Sequence, residues 1–141
     1  MSYLDGQVPV LESVKPDQIP FDQLFAAEGP VILRGLVFDW SLVQAGNESP
    51  GKAMDILQGH SSGKPVVVYI APPETRARFF YNQDCTGFNY QSKHLQLSEI
   101  FAQIREAQNN PDRSYYYMNS LTLDNCFPGL REHNDLSFDH Q

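Results

Sequence analysis

Apolar residues fall three and four apart toward the end of the chain: Ile100, Phe101 and Ile104 share one face, and Leu97 adjoins it. That spacing predicts an amphipathic helix over 98–107. Ser98 is placed to cap its N-terminus, Glu99 suits the positive end of its dipole, and Asn109-Asn110-Pro111 stops it. Val66-Val67-Val68-Tyr69-Ile70 lies between Lys64-Pro65 and Pro72-Pro73 and predicts a strand. Weaker signals surround these two. Residues 8–14 predict a short edge strand, because Pro9 removes one ladder donor. Phe21, Leu24 and Phe25 mark one helical face over 21–27, ended by Glu28-Gly29-Pro30. Val31-Ile32-Leu33 reads as a buried strand, 37–44 as a short helix or turn, and 46–51 as a loop. Residues 52–57 read as a helix ended by Gly59, and Arg78 to Tyr81 and Ser114 to Met118 as strands. Residues 85–90 read as a polar-aromatic loop or short extended piece, and 121–126 as a turn or short helix; 128–132 start another.

Strands and short helices mix without a regular βαβ rhythm, so the fold class is α+β. Residues 1–141 make one domain, or part of one. A chain of this length buries roughly 68% of its unfolded surface, enough for a core. The net charge of −7 and the lack of a Lys/Arg run argue against nucleic-acid and anionic-membrane partners. The longest apolar run, Val66 to Ala71, is too short to span a bilayer. The first residues show no basic region followed by an apolar one, so a cytoplasmic location is expected. Cys85 and Cys126 match no zinc spacing and read as reduced thiols filling a core.

His133-Asn134-Asp135 carries the most chemistry per residue. His-x-Asp opens the facial triad of non-haem iron oxygenases, in which two His and one carboxylate hold the metal. The second His must return from a distant strand. His140 follows Asp135 too closely for that, and His60 and His94 lie upstream. The plain alternative is a solvated charged segment. No Gly-x-Ser-x-Gly elbow and no Gly-rich phosphate loop is present, and no catalytic or metal-binding residue is assigned. In Tyr115-Tyr116-Tyr117 the middle ring faces opposite to its neighbours on a strand. Such a phenol either donates to a ligand carboxylate or packs on the sheet.

Five stretches, in order, resemble the cupin-like JmjC proteins, relatives of the factor-inhibiting-HIF type of 2-oxoglutarate oxygenase. They are Gly29-Pro30-Val31-Ile32-Leu33-Arg34-Gly35-Leu36 with Asp39-Trp40; Arg78-Phe79-Phe80-Tyr81-Asn82; Cys85-Thr86-Gly87-Phe88-Asn89-Tyr90-Gln91; Leu97-Ser98-Glu99-Ile100-Phe101; and Tyr115 to Leu121 followed by Phe127-Pro128-Gly129-Leu130. The resemblance covers residues 8–136. It implies a double-stranded β-helix, Fe(II) held by His-x-Asp/Glu and a distant His, and 2-oxoglutarate as co-substrate. It also implies that these residues correspond to the N-terminal half of such a domain, with short flanking helices and the barrel core incomplete. By that correspondence His133-x-Asp135 lies too early to hold iron. Tyr116 falls in the register of the tyrosine that binds the far carboxylate of 2-oxoglutarate. An intact member would take Fe(II) and 2-oxoglutarate; this chain alone is expected to take neither and to show no turnover. The alternative is a non-enzymatic cupin-like interaction module. An unpaired strand edge at Tyr115 to Met118 would then call for self-association or for the missing half as partner.

Overall fold

A computed structural model of the chain describes residues 8–27, 29–110 and 112–136. Glu28, Pro111 and His140, expected as helix stops and as a candidate ligand, lie outside the described residues. The fold is α+β. Its centre is an antiparallel sheet in the order β4-β3-β5, with β3 at Val66–Ala71, β4 at Gln91–Leu95 and β5 at Tyr115–Tyr117. The register pairs Val66 with Leu95 and Ile70 with both Gln91 and Tyr116. Among the described residues this sheet is open, with β4 and β5 as its edges. A second, parallel pair joins β1 (Val10–Leu11) to β2 (Ile32–Leu33).

Side-chain alternation gives the main sheet two unlike faces. Val66, Val68, Ile70, Leu95 and Tyr116 face α4 (Leu97–Ala107), which turns Leu97, Ile100, Phe101 and Ile104 onto them. Ile100 and Val68 have no solvent exposure. Phe127 and Leu130 from the C-terminal segment close the cluster, and Met54, Ile56 and Leu57 of α3 (Pro50–Gly59) border it.

The long helix begins one residue earlier than its sequence suggests. Gln96, not Ser98, is the N-cap, and Glu99 reaches back to accept the Gln96 N–H at 2.9 Å. This is one half of a capping box. Glu99→Ala is therefore expected to cost about 1 kcal/mol in a urea unfolding curve. Ser98→Ala, at a position that does not cap, should cost less than half of that.

Three further expectations from the sequence fail. Residues 46–51 are not a loop. Helix α2 (Ser41–Glu48) runs through Gly46, and α3 starts directly after Ser49. The Ser49 hydroxyl accepts the Lys52 N–H and Pro50 occupies the first helical position, so two helices abut at one residue. Arg78 to Tyr81 is not a strand but an aromatic turn with one bridge, Tyr81 to Phe88. Arg76 and Ala77, both at positive φ, swing the chain off the sheet before it can pair. Strand β2 is not buried, with Ile32 45% exposed. The apolar face of α1 (Phe21–Phe25) also stays at the surface: Phe21 and Phe25 stack on each other at 6.1 Å, and Phe25 is 82% exposed.

Candidate functional site

The sheet face away from α4 carries Val67, Tyr69, Ser92, His94 and Tyr117, by the pairing register of the three strands. Ser92, His94 and Tyr117 are exposed there. The turn before β4 folds its aromatics against this face. Asn89 fixes that turn through its side chain: Oδ1 accepts the Phe80 N–H at 2.9 Å, and Nδ2 donates to the Arg78 carbonyl at 2.8 Å. Phe79 is thereby set between Tyr90 and Tyr117, with ring centroids 5.5 Å from each. Tyr69 meets Tyr90 edge-on at 5.1 Å and Tyr117 near-parallel at 6.2 Å. Such offset and edge contacts hold rings in fixed orientations. The result is an aromatic wall with two small polar side chains, Ser92 and His94, beside it.

Tyr116, the expected carboxylate binder, is on the other face. Its hydroxyl donates to the Gln103 side chain of α4 at 2.8 Å. Burial pushes its pKa up, and the nearby Glu106 carboxylate adds to the shift, so the phenol stays protonated and a donor. It lines a cavity of about 340 Å³ between α3, α4 and the start of β5. Tyr117, one residue on, pairs with Tyr69 and faces away from α4.

His133 and Asp135 are not aimed at a common point by a strand. They lie on and just after a 3-10 turn, Leu130–His133, that starts from Gly129. His133 is exposed, and Asp135 is gripped by Arg131 through its Nε at 2.7 Å and its Nη2. The Arg131 guanidinium holds the Asp135 carboxyl below the usual carboxylate range. Asn134 between them is the buried residue, 7% exposed. His60 ends α3 with Nδ1 3.2 Å from the Pro128 carbonyl, and His94 sits on β4. Among the described residues no three His, Cys, Asp or Glu side chains gather as a metal-binding group. The donor set that Fe(II) needs, two imidazoles and a carboxylate, is not assembled by these residues, and no step through a metal is derived from them. Both cysteines are free; Cys126 is half-buried against the core, whereas Cys85 is exposed in the aromatic turn and fills no core.

Sequence reasoning missed β4. It also missed the outward tyrosine, for which strand alternation was a usable signal once the paired register was known. Among the described residues no helix is long and apolar enough to cross a membrane. A family model described as a cupin-like domain matches residues 16–141. No curated protein and no solved structure matches the chain.

Proposed function

The chain belongs to the cupin-like domain family, and from that premise we propose that it forms the N-terminal flank and one aromatic wall of a cytoplasmic Fe(II)/2-oxoglutarate-dependent oxygenase. The observation that carries this reading is the contrast between the two faces of the main sheet. One is sealed by α4, while the other presents Tyr69, Phe79, Tyr90 and Tyr117 with exposed polar neighbours. A double-stranded β-helix encloses its ligand between facing sheets, and an aromatic face with few polar groups suits a ligand site. In this reading the iron ligands come from chain beyond Gln141. The reading frame downstream should therefore encode His-x-Asp or His-x-Glu and a later His. A stop codon directly after Gln141 would sink the proposal for the native protein.

Within this reading, two neighbouring phenols compete for the far carboxylate of 2-oxoglutarate. Sequence register gives Tyr116. The described geometry favours Tyr117, because Tyr116 is turned to Gln103 and a strand changes faces only by slipping one residue. In the extended chain, Tyr117→Phe should weaken 2-oxoglutarate binding about tenfold in calorimetry, the effect of losing one bond to a charged partner. Tyr116→Phe should leave it within about twofold. The reverse order would return the role to Tyr116 and require β5 to turn over. The 141-residue chain alone is expected to bind no stoichiometric Mn(II).

A further inference from the structure

We propose that the cavity between α3, α4 and the start of β5 binds a small amphipathic monocarboxylate, with Arg113 taking its carboxylate. This site lies on the helix-covered side of the sheet and is independent of the oxygenase reading. The cavity is about 340 Å³, near the lower end of the roughly 300–1,000 Å³ that small-molecule sites span. Met54 of α3, Ile104 and Ala107 of α4, and the Tyr116 ring give it an apolar lining. Arg113 is the one cation among its lining residues, and no carboxylate lines it.

Arg113 makes no ion pair among the described residues. Its Nη1 donates to the Gln108 carbonyl at the end of α4, 3.1 Å away, which tethers the guanidinium beside the opening. A guanidinium carries five N–H donors in a fixed fork, so the tether leaves donors for a carboxylate. Ser114, also in the lining, adds a hydroxyl.

The surroundings select the charge of the ligand. Glu106 and Asp112 line an adjoining groove that shares Ala107, Arg113, Ser114 and Tyr116 with the cavity. A ligand with one carboxylate and an apolar body places its charge on Arg113 and its body against Ile104 and Met54. A dicarboxylate such as 2-oxoglutarate would bring its second charge into an apolar lining or toward Glu106 and Asp112. A neutral alcohol of the same length would forgo the guanidinium.

Octanoate, octanol and 2-oxoglutarate are the probes, each titrated into the purified chain by calorimetry and by amide chemical-shift mapping. Saturable one-to-one binding of octanoate is expected, with shifts at Ile104, Ala107 and Ser114. Octanol and 2-oxoglutarate should bind at least about tenfold more weakly. Arg113→Gln, at an exposed side chain, should weaken octanoate about tenfold and leave octanol unchanged. Ala107→Phe, which fills the cavity, should abolish both. Equal affinities for octanoate and octanol, an unchanged Arg113→Gln variant, or shifts confined to Tyr69, Tyr90 and Tyr117 would each overturn the proposal.

Discussion

Phe101→Ala is expected to lower the free energy of unfolding by about 4 kcal/mol, the scale of loss that deleting a packed aromatic ring brings. Phe101 is 3% exposed and sits in the buried cluster that ties α4 to the sheet, with Val66, Val68, Leu97, Ile100, Phe127 and Leu130. Removing the ring loses its transfer free energy and leaves a cavity that one helix on three strands cannot collapse to fill. Domains have only about 5–15 kcal/mol to lose, so this variant stands near the edge of folding. In urea the midpoint should fall by about 2 M at an unfolding slope of about 2 kcal/mol/M. Phe25→Ala is the matched control. The same ring is 82% exposed on α1, and its loss should stay within about 0.5 kcal/mol. If the two variants lose comparable stability, α4 does not cover the sheet in the way described.

The contrast between those two phenylalanines also shows what the sequence can tell. Both belong to helical i, i+3, i+4 patterns, and periodicity cannot distinguish them. The pattern at 97–104 spans two turns and meets a strand of three consecutive valines. The pattern at 21–25 covers little more than one turn, and α1 buries none of its residues. Strand β4 was invisible for the opposite reason. Gln91-Ser92-Lys93-His94 has no apolar alternation, and its place in the sheet comes from backbone pairing with β3. A charged residue such as Lys93 on an edge strand also discourages pairing with other chains. The aromatic run at 78–81 carried strong strand propensity, yet two left-handed residues before it settled its conformation. At the candidate site, the aromatic content was legible and the face of each ring was not. A single residue of register decides between Tyr116 and Tyr117, and that register is fixed by Tyr69 and Ile70, far earlier in the chain.

His133-Asn134-Asp135 makes the same point through the residue that was passed over. Asn134→Ala is expected to cost about 3 kcal/mol, whereas His133→Ala should stay within about 0.5 kcal/mol. Helix α2 follows Trp40, whose side chain has no oxygen to cap the first turn. Asn134 supplies the missing acceptor from 92 residues away: its Oδ1 accepts the Leu42 N–H at 2.8 Å. Its Nδ2 donates to the Ser41 hydroxyl at 2.9 Å and to the Leu130 carbonyl at 2.8 Å. Alanine would strand a helix N–H and a buried-side carbonyl, each costing about 1–3 kcal/mol when left without a partner. Asn134→Asp keeps the acceptor and places a negative charge at the positive end of α2, but loses both donors and faces the Leu130 carbonyl. It should fall between the other two, near about 2 kcal/mol. Urea unfolding of the three variants ranks them directly. The order Ala, then Asp, then His133→Ala near wild type would establish the tripeptide as a clasp between the C-terminal turn and α2. A ranking in which His133→Ala is the costliest, together with one-to-one Mn(II) binding that this variant loses, would instead make it a metal site. At Asp135 a metal would compete with bonds already made, because Oδ2 accepts from Arg131 and Oδ1 accepts the Leu136 N–H at 2.9 Å.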